Sequence, residues 1–154
     1  MSASLRPMTP VEYDDWLPKA MDHYAFDIAA AGVPEDEARA KADRDFPRLL
    51  PDGLDSEGQW LYVVEDGGEA VGVLWLAERA DDVGRSLFVY DIEIGEAHRG
   101  RGLGRAAMGL VEEEAHRRGI DRVTLNVFGG NDVARNLYRS LGYAEIAIYM
   151  MKRV

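Results

Sequence analysis

The sequence predicts an α/β protein, one mixed sheet with helices on both faces, in the order βααβββαβαβ. Two observations predict it. Apolar residues recur at helical spacing near the N-terminus, then switch at Trp60 to short strand-like runs that later alternate with helical segments. Hairpin and turn signals, Asp66-Gly67-Gly68 and Asp81-Asp82-Val83-Gly84, separate those runs. The 154 residues read as a single domain, 1–154, without repeat, linker or low-complexity segment.

Each element has a local reason. Leu5-Arg6-Pro7-Met8 is an extended entry. Thr9-Pro10-Val11-Glu12 is a helix start, with Thr as cap, Pro at the first helical position and Glu three residues after the cap. Leu17, Met21, Tyr24 and Ile28 carry that helix to about residue 31, where Gly32 stops it; Pro18 predicts a kink or break. A second helix spans about 34–50 and ends at Pro51-Asp52-Gly53. Strands follow over 60–64, 70–76 and 86–94. A Gly/Arg-rich loop leads into a helix over about 102–118, capped by Gly119. A strand over 122–127, a helix from Asn131 to about Ser140 and a last strand over 145–151 complete the chain.

Composition excludes several functions. Hydrophobic residues are 47% and charged residues 30%, the balance of a folded core with a wet surface. There are 0 cysteines, so disulfides, thiolate metal sites and a cysteine nucleophile are excluded. The three histidines, His23, His98 and His116, are scattered, and no metal is expected. No apolar run approaches membrane-span length and the N-terminus lacks a signal-peptide core, so no membrane partner and a cytoplasmic location are expected. The net charge of −10 argues against nucleic acid. It is unevenly spread: residues 1–60 carry 13 acids and 6 bases, residues 61–90 carry 6 and 2, and residues 91–154 carry 9 and 10. The near-neutral C-terminal part is suited to one small anion.

The densest chemical signal is His98-Arg99-Gly100-Arg101-Gly102-Leu103-Gly104-Arg105, between a strand and an amphipathic helix. Glycines allow a tight turn and close ligand approach, and a helix N-terminus favours an anion. This reads as a phosphate or pyrophosphate cradle. A P-loop needs Lys-Ser/Thr after its second glycine, but Arg101-Gly102 follows Gly100. The dinucleotide fingerprint fails because its third glycine would fall on Arg105. The pattern that fits is R-x-x-G-x-G at Arg99, Gly102 and Gly104.

Residues 90–105 resemble motif A of the GCN5-related N-acetyltransferase (GNAT) superfamily, in its small single-domain bacterial type. Asn131, Ala134, Leu137-Tyr138 and Leu141-Gly142-Tyr143 resemble its motif B. The resemblance covers residues 60–151. It implies acetyl-CoA as co-substrate, without metal. The pyrophosphate would lie on Arg99, Gly100, Arg101, Gly102, Leu103, Gly104 and Arg105. The pantetheine arm would pair with backbone around Ile92 and Ile94, and Asn131 would help to hold it. The implied reaction is direct transfer of acetyl to a primary amine, with Tyr138 as the acid that protonates the departing thiolate.

Each assignment has a structural counterpart. Tyr138 could be a packing aromatic, and Asn131 a plain helix cap. Where some protein-acetylating members of the family place a glutamate at the end of the fifth strand, this sequence has Asn126, which is a poor proton acceptor. Asp91 and Glu93 are the substitute bases. Strand alternation puts them on one face, opposite Tyr90, Ile92 and Ile94. Their counterpart reading is a wet or salt-bridged face. Trp16, His23, Tyr24 and Asp27 lie on the helix expected to meet the acceptor; packing for the aromatics and a solvated His23–Asp27 pair is the favoured reading. The acceptor would be a small-molecule amine or a protein amine, drawn by an acidic rim. Exposed strand edges allow a homodimer. A non-catalytic acyl-CoA-binding or regulatory module on the same fold is the competing function.

Overall fold

A computed structural model describes residues 2–154. Its sheet has five strands in sequence order: β1 (Ala3–Pro7), β2 (Gln59–Asp66), β3 (Glu69–Asp81), β4 (Gly84–Ile94) and β5 (Val123–Leu125). The first four pair antiparallel, and β5 joins β4 in parallel. The β2–β3 and β3–β4 turns fall where the hairpin signals stand. Gly67 and Gly68, both at positive φ, make the first (59° and 89°). Asp81 shapes the second by accepting the Val83 and Gly84 amide hydrogens.

Two helices cover one face. α1 (Pro10–Ala30) starts at the expected capping box: Thr9 accepts from the Glu12 amide and Glu12 accepts from the Thr9 amide. Pro18 does not break it. The helix runs on because Trp16, Ala20 and Ile28 are buried on both sides of the proline, and that packing outweighs one lost backbone bond. α2 (Glu35–Leu49) adds Ala38, Ala42 and Phe46. Trp16, Phe46, Trp75 and Tyr90 form an aromatic cluster there; Trp16 meets Trp75 edge-on at 5.6 Å, and Trp75 stacks on Tyr90 at 4.5 Å.

The other face carries α3 (Leu103–Arg117) and α4 (Asp132–Ser140). Leu103, Ala107, Met108, Val111 and Ala115 pack against Val64, Leu74, Leu76, Leu87 and Val89. α4 lies against α3 at Gly104, where a Cβ would meet Leu137 at 3.6 Å, an ordinary packing contact.

One expected element is missing. Residues 144–154 form no strand and lie exposed. Their alternation fits a strand face, but a strand also needs a ladder neighbour, which periodicity does not specify. β5 is likewise shorter than expected, pairing only through Val123–Leu125.

Candidate functional site

The site begins at an irregularity in β4. Leu76 pairs with Val89 and Trp75 with Asp91, so Tyr90 is an extra residue in the ladder. The bulge corrects the expected alternation. Tyr90 does not oppose Asp91 and Glu93 but lies on their face: Asp91 and Glu93 pair across from Trp75 and Val73, on the α1 side, where Tyr90 also packs. Ile92 and Ile94 turn to the α3 side. Strict period-2 counting fails here because one inserted residue shifts every later side chain to the other face.

The bulge also separates two strands. β4 pairs with β5 only through Leu87, Phe88 and Val89. Beyond Val89, β4 continues to Ile94 without β5 beside it. That stretch of β4 edge, including Ile92 and Ile94, is open to an extended ligand that can pair with backbone.

At the end of β4 the loop 95–102 turns into α3. Gly100 (φ 75°) and Gly102 (φ 76°, capping α3) hold left-handed conformations that L side chains resist. Leu103 is 1% exposed and pins the first helical residue into the core. The first turn of α3 has neither a side-chain cap nor an acidic residue. Its amide groups and dipole therefore suit a phosphate, and the residues present fit the pyrophosphate of a coenzyme A. The arginines have internal partners. Arg99 donates to the Ile94 carbonyl (2.9 Å), Arg101 to the Asp66 carboxylate (2.9 Å) and Arg105 to the Ser140 hydroxyl (2.6 Å). They brace the loop as well as add charge.

α4 brings Asn131 and Tyr138. The Asn131 side chain accepts from the Ala134 amide at 3.2 Å, so it is a helix cap. Tyr138 is half-buried and packs edge-on against Tyr143 (5.9 Å). Burial, and then the Asp91 carboxylate, raise its phenol above the usual range. Asp91 is therefore near enough to act on Tyr138 electrostatically, although the two come from different elements. Asn126 is exposed just beyond β5.

Asp91 is the most perturbed carboxyl of the site. Burial, and then repulsion from Glu93, push it up to about 7; His23 opposes the rise and Asp27 adds to it. His23 Nδ1 lies 3.5 Å from Glu93 Oε1. Burial raises Asp27 as well. The solvated His23–Asp27 pair is thus part of a larger group with Asp91 and Glu93. Helical spacing alone does not reveal this, because the partners lie on β4. Trp16 and Tyr24 pack as expected, and the Tyr24 hydroxyl donates to Asp45 at 2.7 Å. Among the described residues no cluster of three or more His, Asp or Glu side chains is arranged to hold a metal.

A groove of about 760 Å³ runs between α1 and the sheet and reaches Glu93 and the turn after β4. Glu12, Asp15, Asp22, Glu93 and Glu96 line it, with Lys19 as its one lysine or arginine. Arg6, Lys19 and Arg39 pair with Glu12, Asp15 and Asp22. The unneutralised acid therefore concentrates at Glu93 and Glu96. Among the described residues no helix is long and apolar enough to cross a membrane.

The acetyltransferase (GNAT) family profile matches residues 18–143. Two Bacillus subtilis (strain 168) proteins, each named an uncharacterized N-acetyltransferase, are similar over the full length. YdgE is 31% identical, with 100% of this chain and 99% of YdgE covered. YycN is 31% identical, with 100% of both covered, and its crystal structure matches at a TM-score of 0.92 over 99% of each chain. A Clostridium acetobutylicum protein solved with acetyl-CoA shares the fold at a TM-score of 0.66 and 14% identity, covering 99% of this chain and 96% of that one.

Proposed function

We propose, from the premise that this chain belongs to the acetyltransferase (GNAT) family and is an acyl-CoA-dependent acetyltransferase, that its acceptor is a small cationic primary amine attacking acetyl-CoA directly. The observation that carries this reading is Asp91. Its carboxyl, raised to about 7, sits at the β4 bulge where β4 and β5 part, within electrostatic reach of Tyr138 and of the His23–Glu93 pair.

Acetyl-CoA supplies the acetyl thioester. Leu103, Gly104 and Arg105 would offer amide groups to its pyrophosphate, with Arg99, Gly100, Arg101 and Gly102 shaping the loop. The open β4 edge at Ile92 and Ile94, with Asn131, would receive its extended arm. Glu93 and Glu96 draw the ammonium form of the acceptor into the acidic groove. Asp91 takes a proton from the ammonium, because a carboxyl with a pKa near working pH can both accept and release one. The free amine nitrogen forms the C–N bond as the C–S bond breaks. Tyr138 gives its proton to the leaving sulfur, the nitrogen loses its second proton, which returns to the Tyr138 oxygen through solvent, and Asp91 releases its proton to solvent. Glu93 orients the acceptor through its charge and its contact with His23.

Incubation with acetyl-CoA and a panel of primary amines tests the reading. Thiol release that depends on the amine is expected, fastest for di- and polycationic acceptors. No release above hydrolysis with any amine would overturn it.

A further inference from the structure

The sheet face that carries Asp91 is acidic toward one end and cationic toward the other, and we infer that Arg79 at the cationic end receives a carboxylate of the acceptor, which makes the acceptor a basic amino acid. The inference rests on the proposed transfer to an amine at Asp91.

The β3–β4 register places Arg79 on that face. Trp75 pairs with Asp91, Ala77 with Phe88 and Arg79 with Ser86. Leu76, Leu87 and Val89 turn into the core under α3. The residues that alternate with them, Arg79 among them, therefore share the α1 side with Tyr90 and Asp91. Trp16 and Phe46 cover Trp75 there, whereas Arg79 lies beyond the helices and is exposed.

The Arg79 cation is fixed in place. Its guanidinium lies 3.6 Å from the centre of the Phe88 ring and 4.9 Å from that of Tyr90, and it donates to the Tyr90 hydroxyl at 2.6 Å. Tyr90 is in turn stacked on Trp75 at 4.5 Å. The aromatic cluster thus orients the guanidinium before any ligand arrives, which lowers the entropy cost of binding one. Stacking occupies the guanidinium's flat face, and one N–H goes to Tyr90. The remaining edge donors form the planar fork that matches a carboxylate.

Charge at this end of the face is otherwise balanced. Arg85 is matched by Glu78 and Arg122 by Asp81. Among the described residues Arg79 pairs with no carboxylate, although the chain carries a net charge of −10. A single unmatched cation suits one carboxylate better than a doubly charged phosphate. At the other end Glu93 and Glu96 attract ammonium groups. Four residues of β3 separate Trp75, the partner of Asp91, from Arg79, about 13 Å of strand. The Arg79 side chain leans back to Tyr90, so the two charged sites stand about 10 Å apart. An extended ornithine or lysine spans this distance with its side-chain amine at Asp91 and its carboxylate at Arg79, leaving the α-ammonium in solvent.

Amine-dependent thiol release with ornithine and lysine, each compared with the diamine that lacks its carboxylate (putrescine and cadaverine), tests the inference. In the wild type kcat/KM should favour at least one amino acid over its diamine by ~10-fold, the scale of a hydrogen bond between charged groups. Arg79→Met, which keeps an apolar cover over Phe88, should lower that ratio by ~10-fold, chiefly through KM, and Arg79→Lys should retain part of it. Because the ratio compares two substrates on one protein, a general loss of folded enzyme cancels. A wild type that prefers both diamines, or a ratio that Arg79→Met leaves unchanged, overturns the inference while transfer at Asp91 stands. Release with no amine at all overturns that transfer, and the inference with it.

Discussion

Replacing Asp91 with Asn should make the protein more stable and a poorer catalyst. The Asp91 carboxyl titrates at about 7 in the folded chain, against an ordinary 3.8. Below pH 3.8 it is protonated in both folded and unfolded chains and costs nothing. Between these values the unfolded chain ionises more readily, so the folded state loses stability as pH rises. Above about 7 the loss is complete, and at 1.36 kcal/mol for each factor of ten it amounts to about 4 kcal/mol. Asn removes the charge while keeping the shape. Urea unfolding at pH 8 should therefore show Asp91→Asn stabilised by up to about 4 kcal/mol, falling to about 2 kcal/mol at pH 5. Amine-dependent transfer should drop by ~10²–10⁴-fold, the span of a lost general base. A variant that is less stable at pH 8, or that transfers acetyl at the wild-type rate, would refute the reasoning.

Four further outcomes are expected. Tyr138→Phe should lower kcat by ~10²-fold or more while leaving CoA affinity by calorimetry unchanged; CoA binding with an unaltered rate would instead favour a module that does not use Tyr138. Gly102→Glu should abolish CoA binding, because it puts a carboxylate at the α3 N-terminus and a side chain on a φ of 76°; unchanged affinity would move the phosphate site elsewhere. Gly72→Ala should destabilise by ~1–3 kcal/mol in thermal melts, because its Cβ would collide with the Glu93 carbonyl oxygen. Raising salt should increase KM for a cationic acceptor by screening Glu93 and Glu96, and a flat KM would remove the electrostatic role of the groove.

Much of this site is legible in sequence because its parts are local. The Thr9 capping box, the Gly67-Gly68 turn and the strand–loop–helix of residues 90–105 are set by neighbouring residues, and each appears where its chemistry puts it. What escapes depends on contacts between distant segments. The bulge at Tyr90 exists because β3 and β4 each satisfy packing on both sides of it, and no residue type in Phe-Val-Tyr-Asp-Ile announces it. The group formed by His23, Asp27, Asp91 and Glu93 joins α1 to β4 across the sheet face, which helical spacing on α1 cannot show. Residues 145–151 read as a strand because alternation reports which faces are apolar, not whether a neighbour is present.

The three arginines of the loop before α3 carry a consequence for coenzyme recognition. Arg99, Arg101 and Arg105 are held by a backbone carbonyl, a half-buried aspartate of β2 and a serine of α4. An incoming diphosphate would therefore meet a mould whose conformation is already fixed by three separate parts of the fold. Little chain entropy remains to be lost on docking. With Arg101 already matched by Asp66, the attraction rests more on oriented amide dipoles than on mobile cations, so few counterions are displaced. Coenzyme affinity should then fall only gently with ionic strength, in contrast to the acceptor side of the same cleft.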